Sequence, residues 1–378
     1  MAAKITPMRK QYLALKKKHP DCLLFFRLGD FYEMFDEDAR IASKELDLTL
    51  TTRDRNKDIP VEDRVPMCGV PYHSYQSYLA RLIAKGYKVA ICEQLEDPSV
   101  AQGLVERDVV RIVTPGTALE ASMLEESRNN YIASVFLNED RCGLCFCDLS
   151  TGEVLSTAFG GEECLSHLLN ELGRFHPREA VLSNQAWKNE AVTQTLEEKL
   201  DCRREKGSTK RFDFVVAGAT VSRQFENYTV VPSDAPEALR AVGGMLSYLY
   251  ETQKNRLGHL RVLQYYSSGR FMELDLTARR NLELTETLRG KEKRGSLLWV
   301  LDQTKTAMGG RLLRSWLEKP LLNPAEIGKR LAAVRDLAAD LVAREEIVLC
   351  LKEITDLERL ISRMVYGNAG GRDCRKPC

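Results

Sequence analysis

Between residues 131 and 159 the chain carries three strand-length runs, Tyr131 to Leu137, Cys142 to Leu149 and Glu153 to Phe159. They are joined only by Asn138-Glu139-Asp140 and Ser150-Thr151-Gly152. A parallel crossover needs a dozen or more residues, so connections this short force antiparallel neighbours. A three-stranded meander is therefore fixed in the middle of the chain, and the rest must be arranged before and after it. In Leu144-Cys145-Phe146-Cys147 thiols alternate with larger apolar side chains, the pattern of a buried strand. Eleven cysteines are an odd number scattered over 378 residues. The densest group, Cys142, Cys145 and Cys147, has no second pair and no nearby histidine to complete a zinc set, so reduced thiols in the cytosol are expected.

After the meander, a helical pattern from Glu162 to Leu172 and a strand at Ala180 to Leu182 follow. Three antiparallel strands and then alternating α and β is the order of a ribonuclease H-like domain. That order raises a metal-dependent nuclease reading, with Asp148 at a strand end and Glu153 nearby. The turn Asp148-Leu-Ser-Thr-Gly152 accounts for the aspartate without any chemistry, and no further carboxylate is placed to join the pair.

Upstream, strands and helices alternate, which favours a mixed or parallel sheet covered by helices. Thr6-Pro7 starts a short amphipathic helix with Met8, Tyr12 and Leu15 on one face. The run Leu23-Leu24-Phe25-Phe26 leads into Gly29-Asp30-Phe31-Tyr32-Glu33-Met34-Phe35, and Asp36 is expected to cap the next helix. If this stretch is extended, Phe31 and Glu33 share one face and Tyr32 takes the other. Leu48 to Thr52 reads as a strand and Arg53 to Arg64 as a polar loop free to meet a partner. In Val65-Pro-Met-Cys-Gly-Val-Pro-Tyr-His73 two prolines predict a rigid turn outside regular structure. Residues 118 to 129 read as a polar linker. From Leu239 onward, apolar residues recur at helical spacing (Leu239, Val242, Leu246, Leu249, then Leu297, Leu298, Leu301, then Leu312, Leu313, Trp316, Leu317), which predicts a lever or bundle.

Composition excludes some functions and names none. No apolar run reaches the roughly 20 residues that a bilayer requires, so no membrane partner is expected. No apolar leader is visible at the N-terminus, and a cytoplasmic location is expected. Net charge is +1, and residues 1 to 119 hold 18 Lys and Arg against 17 Asp and Glu, so any nucleic-acid contact must come from local arrangement. No GxxxxGK[S/T] loop occurs: Gly290-Lys291 is followed by Glu292, and Gly328-Lys329 by Arg330. The five histidines make no nucleophile or metal pattern. Binding is favoured over catalysis.

Several segments together resemble the N-terminal part of the MutS family of bacterial DNA mismatch repair proteins. They are Phe26 to Phe35, Val65 to His73, Val89-Ala-Ile-Cys-Glu-Gln94, Arg111-Ile-Val-Thr-Pro-Gly-Thr117, Asp148 to Glu153, Leu274 to Glu283 and Asp356-Leu-Glu-Arg359. The resemblance implies an α/β multidomain chain. A small mixed α/β mismatch-recognition domain would span 1–117, and a linker 118–129. A ribonuclease H-like connector would span 130–235, and the start of an all-helical lever domain 236–378. It implies that Phe31 stacks on a mispaired base from the minor groove of double-stranded DNA and that Glu33 hydrogen-bonds that base. Arg53, Met67 and His73 are the candidates for backbone contact. The connector would dock a downstream repair partner; a fragment that keeps only this docking is the alternative reading. The family continues into an ATPase domain that takes ATP and magnesium and forms the homodimer. The chain itself is therefore expected to be a non-enzymatic fragment without a cofactor, its end a truncation, a frameshift or a partial sequence, compatible with a monomer.

Overall fold

The computed structural model describes residues 6–52, 64–96, 103–254, 257–267, 269, 271–367, 369 and 371. The chain separates into two compact units, Met1–Met123 with Leu249–Arg256, and Leu124–Tyr248 with Leu257–Cys378.

The first unit opens with α1 (Pro7–Lys18), whose Thr6 hydroxyl accepts the Arg9 N–H at 3.3 Å. Strands β1 (Leu23–Leu28) and β2 (Phe31–Phe35), helix α2 (Asp36–Leu46), strands β3 (Thr51–Thr52) and β4 (Pro66–Pro71), helix α3 (Tyr75–Ala84) and strands β5 (Val89–Gln94) and β6 (Arg107–Val113) follow. The sheet order is β3-β4-β2-β1-β5-β6, antiparallel except for the β1–β5 pair. One sheet face packs Phe25, Tyr32, Met34 and Val70 with Ala39 and Ala42 of α2 and Leu79 and Leu82 of α3. The other packs Leu24, Phe26, Phe35 and Cys92 with Tyr12 and Leu15 of α1.

Three expectations for this unit need correction. The two-proline segment is strand β4, because Pro66 and Pro71 stand at its first and last positions, where a missing N–H interrupts no central ladder bond. Asp36 does not cap α2: it sits at φ 54 as the first helical residue, Phe35 holds the cap position, and the Asp36 carboxylate pairs with Arg9. The stretch read as a polar linker is packed at its start, where Ala118, Leu119 and Glu120 are buried and Glu120 pairs with Arg111 at 3.0 Å.

The second unit contains the meander, β7 (Tyr131–Asn138), β8 (Arg141–Asp148) and β9 (Glu153–Gly160). Helix α4 (Cys164–Phe175), strand β10 (Glu179–Leu182), helices α5 (Asn184–Lys188) and α6 (Glu190–Gln194), strand β11 (Arg203–Lys206), helices α7 (Phe214–Gln224) and α8 (Pro236–Gln253), the last counted with the first unit from Leu249 on, and strand β12 (Leu263–Tyr265) follow. This sheet has the order β11-β10-β7-β8-β9-β12, with the meander antiparallel and the three outer pairings parallel. One face packs Leu144, Phe146 and Leu155 with Leu168 and Leu172 of α4. On the other, the first turn of α8 lies on Gly143, and the Tyr248 hydroxyl donates to Glu179 at 2.5 Å. A connector ending at 235 is thus too short: β12 pairs with β9 in the same sheet, and α8 packs on it.

Helical content rises toward the C-terminus through α9 (Leu276–Asn281), α10 (Leu297–Leu301), α11 (Ala307–Glu318), α12 (Pro324–Ala339), α13 (Leu341–Glu353) and α14 (Leu357–Val365). Many apolar side chains on these helices stay exposed, Leu312, Leu331, Val334 and Leu349 among them. Arg311 of α11 is buried and pairs with Asp356 through two bonds of 2.7 and 2.8 Å, with Glu358 at 2.7 Å and with the Glu126 carbonyl at 2.9 Å. Arg359 donates to the carbonyls of Glu125 and Arg128 at 2.8 and 2.6 Å. The Asp356-Leu-Glu-Arg359 motif thereby clamps the chain just ahead of β7.

Candidate nucleic-acid interface

Strands β1 and β2 form a hairpin with Leu28 opposite Phe31 and only Gly29 and Asp30 between. Gly29 takes φ +59 and Asp30 does not go positive, the pattern of a tight hairpin turn that favours glycine at its first central position. Beyond this turn the side chains alternate. Tyr32 and Met34 are fully buried against α2 and α3, while Phe31, Glu33 and Phe35 take the opposite face. Along that face burial falls toward the turn: Phe35 is covered by the Tyr12 ring, 4.9 Å away edge-on, Glu33 is half-buried, and Phe31 is 47% exposed.

The neighbouring strand leaves this face open. Gly69 of β4 stands directly opposite Glu33, and Pro71 opposite Phe31. A Cβ at Gly69 would lie 3.5 Å from the Glu33 Cγ and 3.8 Å from the Phe31 Cδ1. Its absence leaves a slot beside both side chains. The other face holds the hairpin rigid. Tyr32 donates its hydroxyl to Glu93, and burial, with that bond adding to it, pushes the phenol well above its usual range. Arg27 lies over the Tyr72 ring at 3.2 Å and reaches Glu93 at 3.9 Å, and the Tyr72 N–H donates to the Asp30 carbonyl at 2.8 Å. Gly69, Arg27, Tyr72 and Glu93 are contributors that the sequence reading missed.

Family models match in this order: MutS domain I over residues 6–122, MutS domain II over 130–261 and MutS domain III over 277–376. The chain belongs to the MutS family. It is 46% identical over 371 residues to the DNA mismatch repair protein MutS of Acetivibrio thermocellus, and 47% identical over 382 residues to that of Desulforamulus reducens. The MutS of Alkaliphilus oremlandii is 44% identical over 375 residues. Each comparison covers 98% of this chain and 42% of the relative, so the chain spans about two fifths of the length of these MutS proteins.

The Phe31 face lies in MutS domain I. Met67 shares it, opposite Phe35, half-buried against the Tyr12 and Phe26 core. His73 is exposed in the short turn Tyr72–Ser74 beyond the end of β4. Arg53 lies outside the described residues. In MutS domain II, Asp148 is fully buried and both carboxylate oxygens are used: Oδ1 accepts from the Ser150 N–H and hydroxyl at 2.9 and 2.7 Å, and Oδ2 from Asn129 and the Asn130 N–H at 2.9 and 3.1 Å. Glu153 accepts the Tyr131 hydroxyl at 2.6 Å, and burial raises its pKa. Asp148 is thus a turn and anchor residue. Among the described residues no group of three His, Cys, Asp or Glu side chains is placed to hold a metal ion, and no described helix is long and apolar enough to cross a membrane. The Gly290-Lys291-Glu292 and Gly328-Lys329-Arg330 segments offer no hydroxyl for magnesium, so the residues here do not fit a phosphate-loop ATP site.

Proposed function

We propose that this chain is the mismatch-probing part of a DNA mismatch repair protein, in which Phe31 enters the minor groove of double-stranded DNA as an apolar wedge and Glu33 selects the base beside it. One observation carries the reading: an exposed phenylalanine and a half-buried carboxylate stand two residues apart on one face, at the end of a braced hairpin, next to a strand position without a side chain. Unstacking a base step costs a few kcal/mol, and the cost is least where pairing is already defective. A wedge that probes deformability needs no sequence code. Beside phosphates a carboxylate weakens general affinity, so Glu33 serves selectivity: it accepts a base N–H that a correct pair keeps occupied. His73 and Met67 would steady the backbone nearby, and Arg53 is the basic candidate for a phosphate. ATP and magnesium chemistry and dimer formation would belong to the part of the longer MutS proteins that this chain does not span.

Competition binding with a G·T duplex and its matched counterpart tests the wedge. The wild-type chain should prefer the mispair, and Phe31→Ala should bind both duplexes alike; an unchanged preference in Phe31→Ala would sink the reading. A second role, docking a downstream repair protein through domain II, is favoured by a recess of about 500 Å³ at Phe136, where Arg240 lies over the rings of Phe136 and the exposed Phe214. Pull-down of that partner lost in Phe214→Ala would support it.

A further inference from the structure

The second unit also holds a cavity of about 450 Å³ between the end of α4, the turn Thr195–Lys199, the segment from Leu276 to Lys291 and the last turns of α11. Its wall contains five arginines and two lysines against three glutamates. The charges fall into two layers. Arg174 and Arg314 are set back in the wall, their side chains 6% and 13% exposed, whereas Arg280, Lys199 and Lys291 are exposed at its surface. The inner layer is only partly hydrogen-bonded, although Arg279 donates through Nε to the Leu274 carbonyl at 2.8 Å and Arg174 lies over the Phe271 ring at 5.0 Å. Arg174 reaches Glu171 at 2.7 Å through one nitrogen, but its Nε and Nη2, the Arg279 Nη1 and the Arg314 Nε are buried with no hydrogen-bond partner among the described residues. Arg314 meets Glu318 only at 3.6 Å. Burial, joined by the neighbouring Arg128 and Arg174 charges, holds the Arg314 and Arg279 guanidinium groups below their usual pKa against the pull of Glu318.

We propose that this cavity binds a small, multiply charged phosphate anion, such as a di- or triphosphate group. Its volume lies within the range of small-ligand sites. Buried guanidinium groups set a positive field in a low-dielectric recess, which concentrates anions there, while the exposed Arg280, Lys199 and Lys291 supply charge-assisted hydrogen bonds to phosphate oxygens. Hydrogen bonds of that kind are about twice as strong as neutral ones, and guanidinium suits two phosphate oxygens at once. Nothing in this function draws on the Phe31 face, which lies in the other unit.

Isothermal titration of the full chain with sodium tripolyphosphate at low salt is the test. Saturable binding at one site is expected, weakened about tenfold or more when the exposed pair is removed in Arg280→Ala with Lys291→Ala, and unchanged in Phe31→Ala. As a second readout, tripolyphosphate should raise the melting temperature of the wild type and not that of the double variant. The inference is overturned by absence of saturable heat in the wild type, or by equal affinity in the double variant. It is also overturned if the double variant loses retention on duplex DNA while tripolyphosphate fails to bind either protein, since the cluster would then serve the DNA backbone.

Discussion

Arg311 is a buried cation whose removal should cost the second unit measurable stability. The guanidinium is 4% exposed and satisfies Asp356 twice, Glu358 once and the Glu126 carbonyl. Arg311→Met keeps the apolar stem and deletes the charge, leaving those acceptors without their donor. Removing one partner of a fully buried ion pair costs about 3–5 kcal/mol. Asp356 retains a fifth of its surface and Glu358 half, so water takes over part of their solvation, and the estimate falls to about 2–3 kcal/mol. All three tryptophans, Trp187, Trp299 and Trp316, lie in this unit, so urea unfolding followed by tryptophan fluorescence reads it selectively. Arg311→Met, Asp356→Asn and the double variant form a cycle in which a coupling above about 1 kcal/mol is expected, because the pair is in direct contact. Burial raises the Asp356 pKa, but the Arg311 hydrogen bonds and charge outweigh it and leave it lowered. A lowered carboxyl contributes stability that is present above its unfolded pKa and is lost as pH falls through its folded one, so the wild-type advantage should fade below about pH 4. A loss under about 0.5 kcal/mol with no coupling would refute the reasoning.

Other outcomes follow from particular contacts. Burial, with Arg128 next, pushes His176 down to about 3, so it is neutral in the fold and takes a proton on unfolding once pH drops below about 6.5. His176→Asn, which keeps a residue tolerant of φ 47, should therefore lose about 2 kcal/mol less than wild type between pH 6.5 and pH 5 in urea titrations; parallel curves would contradict this. At Gly143 a Cβ would overlap the Glu237 backbone, so Gly143→Ala should destabilise the second unit by about 1–3 kcal/mol, read by tryptophan fluorescence, and an unchanged midpoint would count against the packing of α8. Gly69→Val would fill the slot beside Phe31 and Glu33, and because its Cβ would also stand 3.3 Å from the Tyr32 carbonyl oxygen a lowered melting temperature is expected; in the folded variant duplex competition should show mispair preference lost, and full preference retained would show that the slot is not used.

Much of the architecture was legible where local rules act alone. The meander followed from loop length, and the facing of Phe31 and Glu33 followed from the period of two in an extended strand. Strand β4 was not legible, because two prolines in six residues signal a turn unless both fall at the strand ends, and strand ends are set by pairing with β2 and β3. Helix α8 reads as part of a bundle from its periodicity, yet its small residues serve close approach: Ala238 lies at Gly143 of the sheet, Gly243 at Ala217 of α7 and Gly244 at the Phe212 ring. Arg359 reaches the carbonyls of Glu125 and Arg128 across more than two hundred residues, and no sequence pattern encodes a main-chain acceptor. At the candidate site, Phe31 and Glu33 were visible as residue types on one face, while the gap at Gly69 depends on strand register, which only pairing fixes.

Base unstacking by Phe31 is the central claim, and 2-aminopurine placed beside a G·T mispair reports it directly, because the probe brightens when it leaves the stack. The wild-type chain should raise its fluorescence on the mispaired duplex and leave the matched duplex dark, and Phe31→Ala, a change at a half-exposed position that the fold tolerates, should abolish the rise at saturating protein. An equal rise with Phe31→Ala, or the same rise on matched DNA, would contradict the account.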